Sequence, residues 1–288
     1  MTIQNITVIG TGLMGRGIAQ VSALGGYRTT MVDVSDEILA AALANIRKEM
    51  EKGVAIGKLA PELKDQALAN LFLEKDLEKA AADADFVIEA VPEDMKLKID
   101  TFTRVDQVAP PHTIFGSNTS SMSITEMAAA TSRAPRFIGM HFFNPVHKMK
   151  LLEIVVGLET TREVVKVAQE VGKRMGKETV VVRESPGFAT SRINAMIGNE
   201  AFYMLQEGVA TAEDIDKAIK LGLNHPMGPF EMADLVGLDT RLHVLEYLHQ
   251  TLGDKFRPCP LMIQYVKAGR LGRKVGRGVY DYTQEKKA

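Results

Sequence analysis

The stretch MHFFNPVHKMKLLEIV, Met140 to Val155, sets two histidines and one glutamate among apolar residues. Histidine is the side chain whose ordinary pKa lets it take up and return a proton near neutrality. Glu153 sits inside LLEIV, which reads as a strand, and an acid in an apolar strand is costly unless something pairs with it. A histidine within reach of that carboxylate would do acid–base chemistry. Spacing alone leaves open whether His141 or His147 takes part.

A second chemical signal lies near the amino terminus. VIGTGLMGRGIAQ places Gly10, Gly12 and Gly15 in G-x-G-x-x-G spacing, after a strand and before a helix. Gly10 permits the tight turn, Gly12 lets backbone approach a pyrophosphate, and Gly15 lets helix and strand pack closely. Leu13 and Met14 open the helix, whose first N–H groups face the phosphates. The next strand ends at Asp33, whose carboxylate accepts from an adenosine ribose and repels a 2′-phosphate. The following VSDE supplies no arginine to neutralise such a phosphate. The expected cofactor is NAD rather than NADP.

These residues need a sheet to hold them. Strands are expected at ITVIG, RTTMVDV, DFVIEAV, HTIFGS, RFIGMHFF, LLEIVVG and ETVVVR, with helical patterns between several of them, among them Glu37–Lys52. Strand–helix alternation implies βαβ units and a mainly parallel sheet. After Arg183 the pattern turns helical. Ser185 is the expected N-cap, Pro186 the first helical position and Gly208 the stop; Thr211 with Asp214 forms an approximate capping box. The one later strand signal is RGVYDY. The expected fold is α/β: a Rossmann-type domain over residues 1–183, then an all-helical domain over residues 184–288. The apolar content of the helical part leaves room for a dimer interface.

Composition narrows the classes. Apolar residues make up 45% of 288, enough for a substantial core. Basic residues number 35 and acidic 36, a balance that gives no support for a general nucleic-acid binder. The single Cys259 excludes an internal disulfide framework and a multi-cysteine zinc site, and no metal is expected. MTIQNITVIG has no basic n-region, and no apolar run approaches the roughly 20 residues that span a bilayer. The expectation is a soluble cytosolic protein with no membrane partner.

At SNTSSMSITE, GMHFFNPVHKMKLLEIV and LGLNHPMGPFEMADLVGLDT the chain strongly resembles the short-chain L-3-hydroxyacyl-CoA dehydrogenase family, nearest its bacterial 3-hydroxybutyryl-CoA branch. The likeness runs from the glycine turn to GRLGRKVGRGVYDY. It implies that His141 is the acid/base and Glu153 its partner, and that His147 is a rim residue. It places Ser120 beside the nicotinamide and the substrate 3-oxygen, Glu93, Lys98 and Asn144 around the nicotinamide and its ribose, and Lys274 at the cofactor from the helical domain. For an acyl-CoA thioester it implies a basic arm at Lys52 and Lys58; a family lysine falls at Ile56, so that contact is missing or moved. The family usually has PGFxxNR where this chain has PGFATSR, which puts Ser191 near the acyl thioester in place of asparagine. A homodimer is implied as well. The chain carries no region for a fused enoyl-CoA hydratase. The competing readings are an NAD-dependent dehydrogenase of a free hydroxy acid or sugar acid, and a non-catalytic NAD-binding protein.

Overall fold

The computed structural model describes residues 2–283, which form two compact units that divide after Glu184. The first unit is built on eight strands: β1 (Asn5–Ile9), β2 (Arg28–Val32), β3 (Leu71–Glu74), β4 (Phe86–Glu89), β5 (Ile114–Ser117), β6 (Phe137–Phe142), β7 (Leu151–Val156) and β8 (Glu178–Arg183). Their order in the sheet is β3-β2-β1-β4-β5-β6-β7-β8. Every pairing is parallel except β6 with β7. The order reverses about β1, where β2 lies on one side and β4 on the other, which is where open α/β sheets bind ligands. The central strands β4, β5 and β6 are buried throughout, as a parallel sheet covered on both faces requires. Phe102, Phe115 and Phe137 pack edge-on or stacked with centroids 4.6 to 6.2 Å apart.

The sequence reading missed β3 and the helix Pro61–Ala69 before it. LFLE is only four residues long and lies at the sheet edge, with Phe72 and Leu73 partly exposed, so it lacks the alternation that marks a half-buried strand. The Arg28 guanidinium covers the Phe72 ring at 4.3 Å.

The second unit is helical: Thr190–Gln206, Ala212–Gly222, Pro229–Val236, Leu238–Leu252 and Pro260–Lys267. Phe202, Phe230, Leu245, Leu248, Phe256 and Met262 lie in its core, together with Cys259. Two expectations need correction. Ser185 is not the N-cap; the helix begins at Thr190, because Gly187 (φ 73°) and Phe188 (φ 50°) stand in the left-handed region and hold 185–189 as a turn. Nor is RGVYDY a strand: among the described residues it makes only isolated bridges, Gly272 with Arg277 and Arg277 with Asp281.

A buried carboxylate holds that tail instead. Asp234 accepts from Val279 N (2.9 Å), Tyr280 N (2.9 Å) and Tyr282 Oη (3.0 Å). A Cβ on Gly278 would lie 2.0 Å from Asp234 Oδ1, so the glycine in RGV is what lets the tail approach. Asp216 performs a similar service, accepting from Phe230 N, Glu231 N and Tyr280 Oη. Removing a carboxylate that serves three donors leaves them buried and unpaired. Asp234→Ala should therefore lower stability by about 2–5 kcal/mol. Urea unfolding followed by tyrosine fluorescence checks this, and an unchanged midpoint would show that the tail is not anchored through Asp234.

Candidate active site

The chemistry-bearing residues of the first unit gather at the carboxyl ends of the parallel strands. β1 runs into the glycine turn. Gly10 has φ 85°, and a Cβ there would meet Ala90 O at 2.7 Å. A Cβ on Gly15 would lie 1.7 Å from Gly10 O, so no side chain fits; at Gly12 nothing stands within 4 Å. The turn is thus closed where helix meets strand and open where a ligand's phosphates would lie. Helix Leu13–Leu24 begins without a side-chain cap and without an acid in its first turn, which leaves its N–H groups for an anion. A dinucleotide fits this cradle. Asp33, at the end of β2, accepts from Thr11 N and Thr11 Oγ1, both at 2.7 Å, and from Val34 N at 2.8 Å. It therefore also ties the glycine turn to β2.

β4 and β5 carry a network centred on Lys98, which is 1% exposed. Its Nζ lies 2.7 Å from Glu89 Oε1 and 3.2 Å from Glu93 Oε2. Glu89 is itself completely buried and also accepts from Ser117 Oγ (2.6 Å) and Val91 N (2.7 Å). Burial pushes the Glu89 pKa up, while the Lys98 ammonium, the Ser117 hydroxyl and the Val91 N–H pull against it. Glu93 accepts from Thr119 Oγ1 (2.6 Å) and Ser120 N (3.0 Å), with Ser120 Oγ at 3.5 Å. The structure thus brings together Glu93, Lys98 and Ser120. Lys98 lies beneath the site, where it holds Glu93, and Glu93 in turn holds the Ser120 loop. The next helix, Ile124–Ala129, is capped by Ser123 and not by Ser120.

β6 and β7 settle which histidine pairs with the buried acid. They run antiparallel with His141 opposite Glu153. His141 Nδ1 stands 2.7 Å from Glu153 Oε2, with Glu153 fully buried and the imidazole 7% exposed. The Phe143 ring packs 4.4 Å from the imidazole centroid. Asn118 Oδ1 accepts from Phe142 N (3.0 Å), joining the Ser120 loop to the His141 strand. His147 lies on the loop between the strands, 3.9 Å from Glu49, and burial lowers its pKa. It stands at the rim of a cavity of about 310 Å³, with Leu13, Arg16, Asn45 and Asn144 also on the wall.

The arm residues stand apart from these networks. Lys52, on helix Asp36–Ala55, is paired with Glu49 at 2.8 Å. Lys58 is exposed just beyond that helix, and Ile56 is its C-cap. Ser191 and Lys274 belong to the helical unit. Ser191 is in the first turn of Thr190–Gln206, and the Lys274 ammonium is held by both oxygens of Asp239 at 2.6 Å. Sequence reasoning missed Glu89, Ser117, Asn118, Thr119 and Asp239. For Glu89 a signal existed: like Glu153 it is an acid inside an apolar strand, in DFVIEAV.

Comparison with known proteins places this geometry. Residues 5–185 match the family profile described as 3-hydroxyacyl-CoA dehydrogenase, NAD binding domain, and residues 187–282 match its C-terminal domain. The chain is 44% identical over 281 residues to a 3-hydroxybutyryl-CoA dehydrogenase of Bradyrhizobium diazoefficiens, covering 97% of this chain and 96% of that one. It is 40% identical over 288 residues to the mitochondrial hydroxyacyl-coenzyme A dehydrogenase of Sus scrofa, covering 97% and 91%. The crystal structure of (S)-3-hydroxybutyryl-CoA dehydrogenase from Ralstonia eutropha superposes with a TM-score of 0.94 at 43% identity, covering 98% of this chain and 100% of that one. With a glycine turn, a buried His–Glu pair and both halves matched, the chain belongs to the 3-hydroxyacyl-CoA dehydrogenase family.

Proposed function

We propose that this protein interconverts (S)-3-hydroxyacyl-CoA and 3-ketoacyl-CoA with NAD, on short chains such as 3-hydroxybutyryl-CoA and acetoacetyl-CoA. The observation that carries the reading is the buried His141–Glu153 pair, 2.7 Å apart in the sheet that also holds the glycine turn. NAD, when bound, supplies the hydride acceptor. With Nδ1 directed at Glu153, the imidazole presents Nε2 to the substrate, takes the 3-hydroxyl proton in oxidation and returns it in reduction. Glu153 fixes the tautomer and stabilises the imidazolium that forms. Ser120, whose loop is pinned by Glu93, aligns the 3-oxygen through its hydroxyl. Asp33 receives the adenosine ribose, and Glu93 and Asn144 stand for the nicotinamide end. Lys52 and Lys58 supply positive charge for the nucleotide end of coenzyme A. Ser191 on the substrate side and Lys274 on the cofactor side enter the proposal on the family pattern alone.

The direct test is NADH consumption with acetoacetyl-CoA, with free acetoacetate and NADPH as controls. Oxidation of NADH with the thioester alone is expected; turnover of free acetoacetate at the same rate would favour the hydroxy-acid reading. His141→Ala should lower turnover by roughly 10²–10⁴-fold while NADH still binds, the usual effect of removing a general acid–base group. Glu153→Gln should lose less and alter the pH–rate profile; an unaltered profile would reduce Glu153 to a packing role. Asp33→Ser should weaken NADH binding and narrow the preference over NADPH by about tenfold, since the repulsion of the 2′-phosphate goes with the charge. Titration of both coenzymes by fluorescence decides this.

We further propose a homodimer formed through the helical unit, where Ile193, Leu221, Leu223 and Leu235 are each more than half exposed. Sedimentation should give about twice the mass of one chain. A single-chain mass at micromolar concentration would exclude it.

A further inference from the structure

Beyond its ladder with β7, the β6 strand that carries His141 continues into an eight-residue loop, 143–150. Within the loop Lys148 N and Met149 N both donate to Pro145 O, and at its end Glu178 N of β8 donates to Lys150 O. Its middle is gripped from below by Lys177, which follows the turn at Gly176 and opens toward β8. Lys177 is 7% exposed, and its Nζ donates to Val146 O and, at 2.8 Å, to Met149 O. Among the described residues no carboxylate pairs with it. Burial without a counter-charge pushes its pKa down to about 8. An ammonium placed among neutral carbonyls is an expensive way to hold a loop, which asks for a use.

The use lies on the other face of the same loop. Val146 is buried, and its side chain fills the notch left by Gly17 on helix Leu13–Leu24: a Cβ on Gly17 would lie 2.8 Å from Val146 Cβ. That helix is the one whose amino end forms the open cradle. The loop is therefore wedged between Lys177 and the cofactor helix, and it carries Asn144 and His147 on the wall of the cavity that Leu13 and Arg16 also line.

We propose that Lys177 is a positioning residue for hydride transfer: by drawing the Val146 and Met149 carbonyls onto its ammonium, it sets the distance between the His141 hairpin and the helix that opens the glycine turn. In this role Lys177 acts through the loop, by its contacts with the Val146 and Met149 carbonyls. The proposal rests on the dehydrogenase reading given above. Misplacement of reacting groups by about 1 Å costs up to about 10²-fold in rate even when binding survives.

The experiment uses the full-length protein and steady-state reduction of acetoacetyl-CoA by NADH. Lys177→Met, which keeps length and removes charge and donors, should lower kcat about tenfold or more with KM for the thioester unchanged. Lys177→Arg, which restores donors and charge, should recover most of that loss. Gly17→Ala pushes the same loop from the opposite side and should lower kcat in the same way. A folded Lys177→Met with wild-type kcat overturns the proposal. So does a Lys177→Arg that regains the melting temperature but none of the turnover, since the lysine would then be structural only. If Lys177→Met does not fold, wild-type kcat in Gly17→Ala overturns it instead. His141→Ala in the same assay separates the two ideas: retained turnover there defeats the site reading, whereas an inactive His141→Ala beside an unaffected Lys177→Met defeats only the clamp.

Discussion

A carboxylate with no exposed surface constrains everything around it. Glu153 is tolerable at the centre of LLEIV because His141 stands directly across the ladder from it, 2.7 Å away. That contact depends on the antiparallel direction of β7 and on its register on β6. A slip of one residue would turn Glu153 to the opposite face of the sheet and put Leu152 or Ile154 before the imidazole. The lone antiparallel pairing in an otherwise parallel sheet is thus where the His141–Glu153 pair is built. A parallel crossover would need a helix between the two strands; the hairpin brings residues twelve apart into contact through one short loop.

The second buried charge cluster works as a foundation. Lys98 neutralises Glu89 on one side and reaches Glu93 on the other, and Glu93 then receives the Thr119 and Ser120 loop. Removing Lys98 leaves the buried Glu89 without its counter-charge, which is far more damaging than the pair is stabilising. The arrangement therefore makes little sense as a stabilising device and considerable sense as a way to hold a hydroxyl in place. Asn118 connects this cluster to the first one by accepting the Phe142 N–H. Ser120 and His141 are consequently joined through hydrogen bonds and the short stretches of backbone between them.

What could be read from the sequence follows from how local each signal is. The glycine turn and Asp33 are legible in their spacing, and the cost of a buried acid calls for a partner to Glu153, but the choice of His141 over His147 came from the family resemblance. The partners of those residues are mostly not legible. Lys98 enters the sequence reading only through the family resemblance, as a residue near the nicotinamide, and the fold shows it turned inward onto Glu89. Glu89 carried the same warning as Glu153 and needed the same question. The start of helix Thr190–Gln206 was misplaced because Ser185–Pro186 satisfies the local rules for a cap, while the left-handed Phe188 that overrides them is set by its surroundings. The tail RGVYDY has strand-like residues, but its donors are claimed by Asp234, some 45 residues earlier in the chain. Propensity sees the segment and not the carboxylate.

The glycines show how the two clusters are brought to a common frame. Three positions on one short segment act as steric notches: Gly10 against the Ala90 carbonyl next to Glu89, Gly15 against the Gly10 carbonyl, and Gly17 against Val146 beyond His141. Each accepts a neighbour that a methyl group would displace, and together they press the cofactor helix against both charged clusters at once. Gly12 meets nothing, and lies where a ligand must come close. The fingerprint spacing explains Gly10, Gly12 and Gly15 as a nucleotide turn. Gly17 lies outside that fingerprint, and its reason is the hairpin. The segment thus carries the glycine turn and, two residues further along, the notch in which the loop after His141 packs.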